Sequence, residues 1–162
     1  MEIERKFLIR ELPENLTDYP HEAISQAYIC TAPVIRVRKK GESYILTLKG
    51  GGMLARQEVE MPIPRESFES LLAKKEGIII EKTRYRIPEK DGLTIELDIF
   101  DGVYKGFYMA EVEFAGLEQA QAYMPPSWFG PDVTMDRRFH NSVLSSNSPE
   151  EAAAFMEAIR CM

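Results

Sequence analysis

Met1-Glu2-Ile3-Glu4-Arg5-Lys6-Phe7 opens the chain. Side chains alternate faces along a strand, so Glu2, Glu4 and Lys6 share one face while Ile3 and Phe7 share the other. The same design recurs. Arg36 and Arg38 alternate with Ile35 and Val37, and Glu58 and Glu60 with Val59 and Met61. Lys82, Arg84 and Arg86 lie between Thr83, Tyr85 and Ile87. Glu96 and Asp98 alternate with Ile95, Leu97 and Ile99, and Glu111 and Glu113 with Val112 and Phe114. Ordinary wet strand faces mix Ser, Thr, Lys and Glu. Here they are nearly all ionised, and each strand tends to one sign. Acid strands facing base strands would hold a highly charged anion together with its metal.

About eight such strands cannot bury their charged faces in an oily core, because isolated ions there are prohibitively costly. Two arrangements remain. The charged face looks outward from a sheet packed on helices, or the sheet closes around a wet, charged interior with its apolar face against helices outside. A closed barrel of this size holds one small ligand and leaves no edges. Alternation alone does not choose between them; segregation of sign by strand favours the tunnel.

The bulk composition excludes several classes. At 162 residues one domain is expected, residues 1–162, long enough for a real core. Hydrophobic residues at 44% and charged residues at 28% indicate neither disorder nor a membrane protein. No run approaches the roughly 18 apolar residues of a membrane span. Charges occupy the place of a signal-peptide core, so a cytoplasmic location is expected. Cys30 and Cys161 are too few for a disulfide framework or a zinc site. The net charge of −6 argues against nucleic acid as a partner and fits surplus carboxylates balanced by a cation.

Strands are expected at Ser25 to Cys30, Val34 to Lys40, Ser43 to Lys49, Arg56 to Met61, Ile78 to Ile87, Leu93 to Phe100 and Phe107 to Ala115, with a last one at Val133 to Arg138. Arg10 to Pro20 reads as a loop or short helix. Gly50-Gly51-Gly52 reads as a hairpin turn. Arg65 to Glu76 carries Phe68, Leu71 and Leu72 at helical spacing and is expected to stop at Gly77. Leu117 to Tyr123 reads as a short helix. Ser148-Pro149-Glu150-Glu151 is a strong helix start, giving a C-terminal helix over 149–160. Its stripe of Ala152, Phe155, Met156 and Ile159 would dock as a plug at a tunnel mouth or as an outer cover.

Taken in order, these pieces resemble the CYTH superfamily of triphosphate tunnel metalloenzymes. Glu2-x-Glu4-x-Lys6 is similar to its ExExK signature. Arg36-x-Arg38, Lys49 in Leu-Thr-Leu-Lys-Gly, Glu58-x-Glu60, Lys82-x-Arg84, Glu96-x-Asp98 and Glu111-x-Glu113 follow in the family order. Trp128-Phe129-Gly130-Pro131-Asp132-Val133-Thr134 and Asp136-Arg137-Arg138-Phe139-His140-Asn141 resemble the closing motif of short bacterial members. The resemblance spans Met1 to about Leu144. It implies an α+β fold: a closed, eight-stranded antiparallel barrel with a charged interior, helices packed outside, and a triphosphate along its axis. Met135 stands where a glycine is common and His140 where a serine is common. No His-Phe precedes the ExExK, as it often does in the class IV adenylate cyclases.

On that resemblance, Lys6, Arg36, Arg38, Lys49, Lys82, Arg84 and Arg138 bind the substrate, since Arg and Lys strengthen hydrogen bonds to phosphate. Glu2, Glu4, Glu111 and Glu113 lead the metal ligands, Glu58, Glu60 and Glu96 complete the acidic lining, and Asp98 is the lesser candidate. Mg²⁺ or Mn²⁺ is the implied cofactor, because both favour oxygen donors. Glu2, Glu4, Lys6 and Glu113 are expected to be catalytic. The reading is a divalent-metal-dependent hydrolase of inorganic tripolyphosphate, with the protein a monomer or homodimer. Alternatives are a class IV-type adenylate cyclase, a thiamine or nucleoside triphosphatase, or a non-catalytic polyphosphate- or nucleotide-binding module. Plainer roles are expected for Arg86, Arg137 and Lys39-Lys40 as surface charge, for His21 and His140 as surface or hydrogen-bonded groups, and for Tyr28 as a packed aromatic. Gly50-Gly51-Gly52 is not a phosphate loop, since no Gly-Lys-Ser/Thr follows.

Overall fold

A computed structural model describes residues 1–162. The chain runs β1 (Glu2–Ile9), β2 (His21–Thr31), β3 (Val34–Lys40), β4 (Ser43–Lys49), β5 (Ala55–Arg56), β6 (Glu58–Pro62), α1 (Arg65–Leu72), β7 (Glu76–Pro88), β8 (Thr94–Phe100), β9 (Tyr108–Glu113), α2 (Leu117–Ala122), β10 (Phe129–Asp132), α3 (Asn141–Ser146) and α4 (Pro149–Arg160). Nine strands follow the path β10-β1-β9-β8-β7-β2-β3-β4-β6, and β5 pairs with β1. Every pairing is antiparallel.

Only Gln57 separates β5 from β6, so one short segment reaches β4 through β6 and β1 through β5. That segment brings the two ends of the path together into a nearly closed barrel. The path has nine strands rather than the eight that the resemblance implies, with β10 joined to the outer edge of β1. β5 covers only Glu2 and Ile3 on that edge of β1, whereas β10 pairs with Phe7 and Ile9 farther along. Between them, Lys6 donates its N–H to Thr134 Oγ1 at 3.0 Å and accepts from the Val133 N–H at 2.9 Å. A buried strand edge needs its backbone groups satisfied, and these contacts do so.

The two faces of the sheet separate. Outward residues Ile3, Phe7, Leu97, Val112 and Phe114 form an apolar cluster with Ala120 of α2 and with Tyr123. α1 covers β3 and β4, with the Phe68 ring centre 5.0 Å from that of Tyr44 and the two rings inclined at 53°. The inward face is charged along most of its length and becomes apolar at one end. Leu8 follows Lys6, Met109 precedes Glu111, Phe100 follows Asp98, and Ile80 precedes Lys82. These four residues pack with Tyr104, Phe107, Phe139 and Leu144 and with Ala152, Phe155 and Met156 of α4. The C-terminal helix therefore backs an apolar plug that seals one end of the barrel. Its start is a full capping box, with Ser148 and Glu151 satisfying each other's backbone donors.

Two sequence expectations differ. The last strand lies at Phe129–Asp132, not Val133 to Arg138, because Asp136 caps a 3-10 turn over Arg137–Phe139. Helix α1 ends at Leu72, and Gly77 lies inside β7 with φ 71°. A Cβ there would sit 2.0 Å from the Ser145 carbonyl oxygen, so this glycine permits the close approach of α3 rather than stopping a helix.

Candidate active site

Strand register builds the site. In β1 and β9, Glu4 lies opposite Glu113 and Lys6 opposite Glu111. Glu96 of β8 lies opposite Glu111, Arg84 of β7 opposite Asp98, and Lys49 of β4 opposite Glu58. Cross-strand partners point to the same side, so these ionised groups face inward, and all but Asp98 line an interior cavity of about 200 Å³. Seven of its lining residues are acidic (Glu2, Glu4, Glu58, Glu60, Glu96, Glu111, Glu113) and seven basic (Lys6, Arg36, Arg38, Lys40, Lys49, Arg56, Arg84). The sum is near neutral, but the distribution is not.

Charge is matched pair by pair on one side. Lys49 Nζ lies 2.9 Å from Glu2 and 3.4 Å from Glu58, and Lys6 Nζ lies 3.2 Å from Glu111 and 3.4 Å from Glu4. Arg84 forks onto Asp98 at 2.7 and 2.8 Å and reaches Glu96 at 3.2 Å. Elsewhere cations outnumber their partners. Arg38 meets only the neutral Gln26 oxygen, at 2.7 Å. Arg36 donates to Thr47 at 3.2 Å, lies 3.9 Å from Glu60, and keeps a buried Nε without an acceptor. Burial and the neighbouring Arg36 and Arg84 push Arg38 down to about 9.

The carboxylates divide in the same way. Burial opposes ionisation of Glu111 and Asp98, yet Lys6 and Arg84 hold Glu111 well below the usual range, and Arg84 and Lys82 lower Asp98. Both are internal counter-ions. Burial raises Glu4, Glu111 adds to the rise, and Lys6 opposes it. Burial and the neighbouring Glu58 carboxyl raise Glu2 against the pull of Lys49. Burial followed by Glu2, Glu58 and Glu4 pushes Glu113 up to about 6. Glu113 thus has no cation partner, while Glu2 shares Lys49 with Glu58 and Glu4 shares Lys6 with Glu111. Lys6 goes the other way: burial disfavours its charge, but Glu111 and Glu4 raise it above the ordinary lysine value.

Of the residues singled out from sequence, all seven expected metal ligands line the cavity, as do Lys6, Arg36, Arg38, Lys49 and Arg84. Two expected substrate-binding residues do not. Arg138 is exposed on the 3-10 turn, where its guanidinium closes back onto Asp136 at 2.6 Å. Lys82 lies behind the cavity wall, at the boundary with the apolar plug. It is 2.7 Å from Asp98, 3.2 Å from Asn141 Oδ1, and 5.3 Å from the Phe100 ring centre. Burial, with Arg84 and Arg38, pushes it down to about 7 against the pull of Asp98.

Arg56, Asn141 and Ser142 line the cavity although the motifs gave them no site role, and Lys40, expected as surface charge, lines it too. Arg56 was marked only by its place two residues before Glu58. Asn141 and Ser142 belong to α3, which carries too little periodicity to be read. Tyr28, expected as packed, lines the cavity as well. Arg86 pairs with Glu22, which also lies 3.7 Å from Lys40. His140 is buried with Nε2 unpartnered. Burial, then Lys6 and Arg56, push it down to about 4, so it is neutral near pH 7.

The donor set suits a hard divalent ion. No three acidic, imidazole or thiol side chains gather tightly enough to hold one alone. Mg²⁺, however, is usually bound by one or two carboxylates with waters and substrate phosphates completing the shell. Glu4 and Glu113, opposite one another, the first sharing its lysine and the second without a cation partner, fit that mode.

The chain thus forms a nearly closed antiparallel barrel, sealed at one end and lined by carboxylates and under-paired arginines. The CYTH domain model matches residues 1–122, and the chain belongs to the CYTH domain family. It is 40% identical over 151 residues to an inorganic triphosphatase of Nitrosomonas europaea, covering 91% of this chain and 99% of that protein. An inorganic triphosphatase of Acetivibrio thermocellus is 36% identical over 115 residues, 70% of this chain and 72% of that one. A crystal structure of an inorganic triphosphatase superposes with a TM-score of 0.68 at 38% identity, covering 92% of this chain and 97% of that one. A putative adenylyl cyclase from Hippeastrum, at 16% identity and a TM-score of 0.57, shares the fold over 75% of this chain and 83% of its own. No helix is long and apolar enough to cross a membrane.

Proposed function

We propose that this protein hydrolyses inorganic triphosphate to pyrophosphate and phosphate with a divalent cation, Mg²⁺ or Mn²⁺. The observation that carries the reading is the division of charge inside one small cavity: Arg36 and Arg38 lack full counter-charge, while Glu113 has no cation partner and Glu2 and Glu4 share Lys49 and Lys6 with Glu58 and Glu111. A triphosphate and a divalent ion supply both deficits at once. The likeness to inorganic triphosphatases over almost the whole chain supports the same substrate. So does the lining, which offers only Tyr28, Val34 and Ile45 as apolar surface for an organic substituent.

In this reading Arg36, Arg38 and Arg84 hold phosphate oxygens, with Arg84 pre-set by its fork on Asp98. Glu2, Glu4 and Glu113 hold the cation. Glu58, Glu60 and Glu96 balance Lys49, Arg36 and Arg84 at the margins. A divalent cation supplies charge neutralisation and polarises the terminal phosphoryl group. Lys6 is held protonated by Glu111 and Glu4, so it acts as a fixed cation beside the departing pyrophosphate and not as a base. The test is phosphate release from tripolyphosphate, ATP, GTP and thiamine triphosphate, each with Mg²⁺, Mn²⁺ or EDTA. Tripolyphosphate is expected to be turned over fastest, and only with metal. Cyclic AMP as the main product from ATP, or binding without turnover, would replace this reading.

A further inference from the structure

Asn141 opens α3 and lines the closed end of the cavity, next to Ser142. Its side-chain oxygen accepts from Lys82 Nζ at 3.2 Å. Held 2.7 Å from Asp98, the Lys82 amine turns N–H donors to its oxygen neighbours, and this dictates which end of the amide faces it. The Asn141 oxygen must therefore turn toward the wall, which leaves the –NH₂ for the cavity. That Nδ2 makes no hydrogen bond to the protein and is not among the buried unpartnered atoms.

The segment carrying Asn141 is held from several sides. Ser145 Oγ donates to the Ile78 carbonyl at 2.6 Å, and Gly77 lets the Ser145 backbone come in against β7. Tyr104 donates to the Leu144 carbonyl and accepts from Asn147 Nδ2 at 3.0 Å. Lys82 is itself fixed by Asp98 at 2.7 Å. The arrangement is rigid, neutral and donating, at the end of a cavity otherwise paved with full charges.

We propose that Asn141 is a substrate-contacting donor at the blind end of the cavity, and that Lys82 is the positioning residue that orients its amide. The inference rests on the triphosphatase reading. It gives the motif lysine a role despite its place behind the wall: Lys82 acts on the anion through Asn141. A terminal phosphoryl oxygen is the acceptor this amide fits.

The discriminating variant is Asn141→Asp. Aspartate keeps the acceptor for Lys82, so a merely structural Asn141 predicts a Tm close to the parent's, an unchanged KM for the uncharged Asn141→Ala, and for Asn141→Asp only a long-range repulsion that high salt screens away. The proposal predicts a Tm no lower than the parent's and a KM for tripolyphosphate raised about tenfold or more, because an acceptor and a negative charge replace the donor. Asn141→Ala and Lys82→Met should each raise KM. The double variant should be no worse than Asn141→Ala alone, since residues acting as a unit are not additive. A KM for Asn141→Asp within about twofold of the parent, or additive effects in the double variant, overturns the proposal. If the parent does not turn over tripolyphosphate, the hydrolase reading fails separately, and the Kd for tripolyphosphate by calorimetry reads the same Asn141 comparison.

Discussion

Glu113→Gln separates the stability of the cavity from its function. Glu113 is exposed to the cavity mouth, and burial with the charges of Glu2, Glu58 and Glu4 raises it from 4.5 to about 6. The folded state therefore binds more protons than the unfolded one between those values. Stability is lost as pH rises through that window, and the full cost remains above it. A rise of that size corresponds to about 2 kcal/mol. Solvent screening of so exposed a group brings that to about 1 kcal/mol. Neutral glutamine removes the cost, so at about pH 7.5, in EDTA and without substrate, the variant is expected to melt roughly 2–4 °C above the parent. At about pH 3 Glu113 is protonated in both states, and the difference should vanish. The same variant should lose metal-dependent turnover by about tenfold or more. Differential scanning calorimetry at the two pH values, beside phosphate release, gives all three results. A variant no more stable than the parent at the higher pH would refute the argument that Glu113 sits in uncompensated repulsion.

Arg38→Ala should weaken tripolyphosphate binding by about 1.5–3 kcal/mol, the worth of a charge-assisted hydrogen bond, or roughly 10–150-fold in Kd by calorimetry. Its ligand-free Tm should not fall, because Arg36 and Arg84 already oppose that charge. Gly77→Ala should lower Tm and raise KM together, since the new methyl meets the Ser145 carbonyl and moves α3. Phe155→Ala removes a ring packed edge-on against Tyr104 and Phe107 in the plug. It should cost about 3–5 kcal/mol, seen as a Tm drop of roughly 6–20 °C.

How much was legible follows from what leaves a periodic trace. The alternation at Glu2, Glu4 and Lys6, repeated in β3, β6, β7, β8 and β9, is a period-two signal tied to facing, and it located most of the cavity lining. The same logic shows where reading stopped. Lys82 has the same phase as Arg84, but alternation gives the side of the sheet and not the depth along the barrel. Only the apolar Ile80, Leu8, Phe100 and Met109 beyond it reveal that Lys82 sits at the edge of the plug. Arg138 followed a motif into a region where Asp136 caps a turn, and no period constrains a turn. α3 spans six residues, Asn-Ser-Val-Leu-Ser-Ser, too short for a helical stripe, so Asn141 and Ser142 came from tertiary packing alone. β10 was misplaced by a few residues because its pairing is set by the edge of β1 that β5 leaves uncovered, a property of the closed sheet and not of the segment itself.

The most direct test is a crystal structure with Mn²⁺ and a non-hydrolysable imidotriphosphate, with manganese located by anomalous scattering. The account predicts the anion inside the barrel, its oxygens on Arg36, Arg38 and Arg84, and manganese beside the carboxylates of Glu2, Glu4 and Glu113. An anion bound outside the barrel, or manganese on carboxylates away from the cavity, would contradict it.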